Sequence, residues 1–198
     1  MRGWSVNFEF LITLGSNYRS MITNSVGKLP QHDTKRWATR DVADIDKVIV
    51  HQACSNGTLY NIAEYHTEPN HISDTGCPSL CYHYAIETTG EIHRTAKHSD
   101  LVWHCAGQNT TSVGVLVIGD FAGEGYLGSS EPTYYQLASL RYLLNKLIYD
   151  LDLELLDIYG HSDYGKPACP GYVIEEFIAW LYHTGGKAEI YGSAGDIL

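Results

Sequence analysis

The chain has 198 residues, 44% of them hydrophobic and 18% charged, with a formal net charge of −10. That is the composition of one globular domain able to bury a core of its own, and not of a disordered chain. The acidic balance and the lack of any basic run argue against a nucleic-acid partner, and nothing approaches the roughly 20 consecutive apolar residues of a membrane span.

Residues 1–43 read as an N-terminal arm packed on the domain, with Gly27 and Pro30 in a loop from Asn24 to Asp33. The apolar stretch from Phe8 to Leu14 is broken by Glu9 and has no clear small-residue cleavage site. A secretory signal is therefore not expected, and synthesis in a cytoplasm is. The main domain is expected over residues 44–184. Its first strand ends in Val48-Ile49-Val50 and presents His51 at its C-terminal end, where α/β proteins collect functional groups. A short helix follows from Thr58 to His66, closed off by Pro69. After a polar loop through Pro78, Tyr82–Ile86 and Glu91–Thr95 flank Thr88-Thr89-Gly90 as a β-hairpin.

Trp103-His104-Cys105-Ala106-Gly107 is a loop leading to a strand over Val113–Ile118, whose unbroken apolar run predicts burial on both faces. Gly123–Ser130 reads as a loop. Pro132 fits the first turn of a helix to about Leu151, with Leu137, Leu140, Leu144, Leu147 and Leu151 on one stripe. Leu155–Tyr159 is a further predicted strand, and a last helix, from about Tyr172 to Tyr182, turns Val173, Phe177 and Leu181 inward. Residues 185–198 read as a C-terminal tail. The fold class is α/β: a single domain with a central mixed sheet flanked by helices. Five cysteines (Cys54, Cys77, Cys81, Cys105 and Cys169) are an odd number, so at least one lies outside any internal disulfide. Reduced cysteines are the expected state, although Cys77 and Cys81 are close enough in sequence to pair.

The stretch Gly160 to Gly171, GHSDYGKPACPG, holds His161 and Cys169 eight residues apart, among glycines and prolines that forbid a regular helix or strand. Such a loop can bring an imidazole and a thiolate to one point, a donor pair that suits zinc. His51 supplies a third ligand if the two strands preceding His51 and His161 are neighbours. Two histidines and a cysteine leave a fourth position for water that the metal activates, which is a hydrolase design. The same three residues also read as packed core histidines and a buried thiol.

The segments VIVHQ (48–52), CYHYAI (81–86), WHCAGQNTTSVGVLVIGDF (103–121) and GHSDYGKPACPG (160–171) follow one another in a familiar order. In them the chain resembles the zinc-dependent N-acetylmuramoyl-L-alanine amidases of the type-2, peptidoglycan-recognition-protein-like family, over about residues 44–182. The resemblance implies that His51, His161 and Cys169 bind Zn2+. It implies hydrolysis of the amide between N-acetylmuramic acid and L-alanine in peptidoglycan, so that a muropeptide is the expected partner and residues 44–184 the catalytic domain. Tyr82 matches a tyrosine near the metal, able to hydrogen-bond the attacking water or the oxyanion. His104 and Asn109 match a loop whose implied role is to hold substrate, here with Cys105 inserted after the histidine, while Ser112 reads as structural.

The chain departs from the family at one point. Phage members carry a catalytic lysine two residues before the cysteine ligand, and recognition proteins a threonine; here Pro167 stands there and Lys166 one residue earlier. Lys166 is the candidate to bring positive charge to the oxyanion, its ordinary reading being a solvated loop lysine. Two other functions compete: a non-catalytic peptidoglycan-binding module of the same fold, which would normally lack the cysteine ligand, and a cysteine peptidase with Cys169 as nucleophile and His161 as base. A single catalytic domain without a clear signal suits a phage endolysin, made in the host cytoplasm and acting on the cell wall after release. Nothing in the sequence sets an oligomeric state.

Overall fold

The computed structural model describes residues 22–122 and 130–184. The first part of the arm, all but the last residue of the expected Gly123–Ser130 loop, and the tail from Gly185 lie outside the described residues. The sheet grows outward from two parallel strands, β3 (Lys47–Gln52) and β7 (Ser112–Val117), paired from Lys47↔Ser112 to Gln52↔Val117. Every residue of β7 is buried, and every residue of β3 except Lys47, as unbroken apolar runs demand of strands covered on both faces. β8 (Ile158–Gly160) lies parallel to β3 on its far side. On the other side β4 (Tyr84–Ile86) runs parallel to β7, β5 (Ile92–Arg94) antiparallel to β4, and β1 (Ile22–Asn24) parallel to β5 at the edge. The order β1-β5-β4-β7-β3-β8 makes the sheet mixed. β2 (Ala38–Thr39) and β6 (Asp100–Leu101) form a separate antiparallel pair.

Among the described residues three helices cover the sheet. On one face α2 (Tyr134–Leu151) and α3 (Tyr172–Thr184) pack Leu137, Leu140, Leu144, Leu147, Phe177 and Leu181 against Val48, Val50, Val113, Val115 and Val117. On the other, α1 (Leu59–Thr67) packs Leu59, Ile62 and Ala63 against Ala85, Leu116 and Ile118. The alternation of β7 is thus split between two cores, as a strand in a three-layer α/β domain requires. The expected single domain with a mixed central sheet and flanking helices is what forms.

Several expected boundaries move, the hairpin strands shortening to Tyr84–Ile86 and Ile92–Arg94, and two of the shifts show their cause. Leu155–Asp157 is a 3₁₀ turn rather than strand, because Asp157 folds back to accept from Glu154 N at 2.7 Å; the strand begins at Ile158. Pro132 stands outside α2, which starts at Tyr134 behind a reciprocal cap: Thr133 Oγ1 accepts from Gln136 N at 3.1 Å and Gln136 Oε1 from Thr133 N at 3.0 Å. The described part of the arm does more than lie on the domain. It contributes the edge strand β1, and β2 pairs with β6.

Candidate active site

Because β3 and β8 are neighbours and parallel, both carry their C-terminal ends to the same edge. His51 sits in the last turn-out of β3 and is fully buried; His161 follows β8 and opens a 3₁₀ turn, His161–Tyr164, that Gly165 closes at φ 84. That left-handed conformation is one glycine adopts without strain. The loop then doubles back through Cys169 N to Lys166 O at 2.8 Å, returning Cys169 to the two histidines. His51 Nδ1 lies 3.0 Å from His161 Nδ1 and 3.9 Å from Cys169 Sγ. The three donor atoms fall within 4.8 Å of one another.

Those separations lie around, and at the widest beyond, the donor spacing of a tetrahedral ion, so small side-chain shifts would bring all three donors onto one. Zinc bonds of about 2.0–2.1 Å to nitrogen and 2.3 Å to sulfur set its donors about 3.3–3.6 Å apart. The electrostatics agree with the geometry. Burial, then the neighbouring His104 and His161, holds the His51 ring well below the usual imidazole range. Burial, then the Lys166 charge, lowers His161 as well. Both rings are therefore neutral at pH 7 and keep a lone pair for a cation. The Cys169 thiol is pushed up to about 12, chiefly by burial, so in the absence of a cation it stays protonated and is no ready nucleophile.

Beside these donors runs a groove of about 600 Å³ lined by Gln52, Cys54, Asn61, Tyr65, Ile72, Tyr82, His161, Lys166 and Cys169, among others. The Tyr82 ring is 5.0 Å from that of His51. Burial raises its phenol well above the ordinary value, which keeps it a proton donor at neutral pH. Lys166 is exposed at the rim. Its displacement by one residue has not taken it away from the groove.

The model of the N-acetylmuramoyl-L-alanine amidase family matches residues 41–172. The chain belongs to that family. Among curated proteins, peptidoglycan-recognition protein SC1a of Drosophila melanogaster is 23% identical over 136 residues, 68% of each chain. Among solved structures, N-acetylmuramoyl-L-alanine amidase LysC from Clostridium intestinale URNW superposes with a TM-score of 0.61 at 23% identity, covering 82% of this chain and 97% of that one. The Ph2119 endolysin from the Thermus scotoductus MAT2119 bacteriophage gives 0.61 at 16% identity, with 84% and 100% covered. Peptidoglycan recognition protein-LE, solved in complex with tracheal cytotoxin, gives 0.61 at 20%, with 80% and 93% covered. No helix among the described residues is long and apolar enough to cross a membrane.

Of the two residues expected to hold substrate, His104 has its ring nitrogens engaged within the protein and Asn109 its side-chain oxygen. His104 is buried, with Nδ1 3.0 Å from His51 Nε2 and Nε2 3.1 Å from Ser112 Oγ, so both its nitrogens are occupied. Asn109 accepts from Cys105 N at 2.8 Å and closes the loop between them. Other site residues give no clear sign in the sequence. Gln52 bridges the ligand loop to the neighbouring strand end: its amide donates to Ala168 O and accepts from Phe121 N, and its backbone N–H points at Cys169 Sγ from 3.4 Å. His66 lies under Tyr82, accepts from Cys81 N at 3.0 Å, and is lowered to about 4 by burial. Arg40 reaches in from the arm. Its guanidinium donates to the carbonyls of Asn109 at 2.7 Å, Thr110 at 3.0 Å and Ser112 at 2.6 Å. All five cysteines are free, Cys77 and Cys81 included.

Proposed function

We propose that this protein is a zinc-dependent N-acetylmuramoyl-L-alanine amidase, hydrolysing the amide between the lactyl group of N-acetylmuramic acid and the L-alanine of the stem peptide. The convergence of His51, His161 and Cys169 at the side of an open groove carries the reading. When bound, zinc supplies Lewis acidity, polarising a carbonyl and making water nucleophilic at neutral pH. The chain's own residues supply the rest. His51 and His161 arrive neutral and need shed no proton to act as ligands. Tyr82, held as a phenol, donates a hydrogen bond to the amide oxygen as it gains negative charge. Lys166 adds positive charge from the rim. Gln52 fixes the loop that carries Cys169. Tyr65 and Ile72 offer apolar wall to the remainder of the muropeptide.

A role as phage endolysin, made in a host cytoplasm and released onto the cell wall, accords with this activity and with the fold shared with the Ph2119 endolysin. Retention of all three donors counts against a purely recognising module. A cysteine peptidase is disfavoured by the raised Cys169 thiol, which burial keeps protonated. Purified protein incubated with cell walls is expected to release stem peptides, to stop when a chelator is added and to resume with zinc. Full activity in a His51→Ala protein would reject the reading.

A further inference from the structure

We propose that His104 is a positioning residue: with Ser112 and the Gln108 carbonyl it forms a one-way hydrogen-bonded chain that holds His51 in the tautomer leaving Nδ1 open to a cation. The inference rests on the reading of His51 as a metal ligand. His51 Nδ1 is the atom that meets His161 and Cys169. A neutral imidazole with its lone pair on Nδ1 carries its proton on Nε2. That proton points at His104 Nδ1, 3.0 Å away, which must accept. His104 then carries its own proton on Nε2 and donates to Ser112 Oγ at 3.1 Å, and the hydroxyl donates in turn to Gln108 O at 2.7 Å.

The last link sets the direction. A carbonyl has no proton to give. Were the chain reversed, Ser112 would spend its proton on His104, leaving two oxygen lone pairs facing each other at 2.7 Å. A chain that ends on a pure acceptor is also no proton wire; its effect is on orientation and on which nitrogen is protonated, the role outer-shell partners play for histidine ligands.

Two further features show that the ring is seated by construction. Gly114, in the middle of the buried strand β7, leaves the space it fills: a Cβ there would lie 2.5 Å from His104 Cγ and 2.8 Å from Nδ1. Arg40 meanwhile fixes the segment bearing Ser112 through the carbonyls of Asn109, Thr110 and Ser112. A glycine that looks like a flaw in a strand of valines and leucine is explained by the ring it admits.

Zinc affinity, measured by competition with a chromophoric chelator, tests the proposal without recourse to activity. His104→Leu is expected to bind zinc about 10- to 100-fold more weakly than wild type. His104→Asn, whose Oδ1 takes about the place of Nδ1, should recover most of that loss. Gly114→Ala changes no polar atom but displaces the ring, and should weaken binding comparably. Nitrogen-15 shifts in the metal-free wild-type protein should show both His51 and His104 protonated on Nε2. Wild-type affinity in His104→Leu, or a proton on His51 Nδ1, overturns the proposal. A wild-type protein that binds no zinc rejects the functional reading instead, and the His51 tautomer still decides the chain.

Discussion

Two groups of histidines flank His104, and they differ in where their nitrogens go. On the groove side, His51 and His161 turn Nδ1 atoms toward each other and toward a sulfur. On the opposite side, His83 accepts from Gly114 N at 3.0 Å through Nδ1 and donates to Asp100 O at 3.1 Å through Nε2, while His98 Nε2 pairs with Tyr84 Oη at 2.9 Å. The second group is as buried as the first, though its rings stand 6.3 Å apart against 4.4 Å, and its nitrogens are spent on neighbouring protein atoms. Convergence of donor atoms on one another beside an open groove marks a candidate metal centre; histidine density does not.

The contrast can be broken most directly by removing a donor from the first group and, beside the second, the Arg40 guanidinium 3.0 Å from His83 Nε2. His161→Ala takes away a donor, and is expected to weaken zinc by more than the roughly 100-fold at which an outer partner's loss tops out, while leaving the chemical unfolding of the metal-free protein within about 1 kcal/mol of wild type. Arg40→Leu should act chiefly on stability, and weaken zinc only through the Ser112 segment, by less than His161→Ala does. The guanidinium stays cationic although burial lowers it to about 10, and it serves four backbone carbonyls, His98 O among them at 2.8 Å. Its loss strands those acceptors and should cost on the order of 3 kcal/mol in urea unfolding. Equal effects of the two substitutions on zinc affinity would erase the distinction between the groups.

Acid should act on the residues that hold the fold before it unmakes anything else. His66 and His98 are each lowered to about 4, chiefly by burial, from an ordinary value near 6.5. Between those two values the unfolded chain binds protons that the folded one refuses. The stability they confer is thus complete above pH 6.5 and is lost as pH falls toward 4, at up to about 1.4 kcal/mol per pH unit for each ring. Urea midpoints of the metal-free protein are expected to drop steadily from pH 7 to pH 5. A flat profile would mean that both rings protonate in place, and that His66 and His98 are held more loosely than their hydrogen bonds indicate.

What the sequence made legible follows the same division. The convergence of His51, His161 and Cys169 was readable because His, His and Cys carry their chemistry in their identity, and because glycines and prolines mark Gly160–Gly171 as a loop. The sheet centre was readable because β3 and β7 are unbroken apolar runs. β1 and β2 were not, since strands of three and two residues are too short to show a period and exist only by pairing with β5 and β6. Arg40 and Gln52 escaped notice for another reason: a side chain that serves backbone carbonyls and amides has no partner residue in the sequence to betray it. His104 was singled out but its direction was not visible. The sign that it turns inward was Gly114, meaningful only once the ring is seen in its place.

The smallest expected effect concerns the residue whose position in the sequence is most at odds with the family. Lys166 is exposed at the groove rim, whereas Tyr82 is partly buried beside His51. A charge in solvent is screened over about 8 Å at physiological salt, while a donor aimed from a dry wall keeps its strength and is worth on the order of 100-fold in rate. Tyr82→Phe should therefore lower kcat by about that factor, and Lys166→Ala by no more than about tenfold. If Lys166 acts by its charge, raising the salt concentration should bring the wild-type rate down toward that of Lys166→Ala and leave the variant nearly unchanged. A Lys166→Ala loss as large as that of Tyr82→Phe, and insensitive to salt, would mean instead that the ammonium reaches the scissile amide and makes a hydrogen bond there, with the loop closing over substrate despite Pro167.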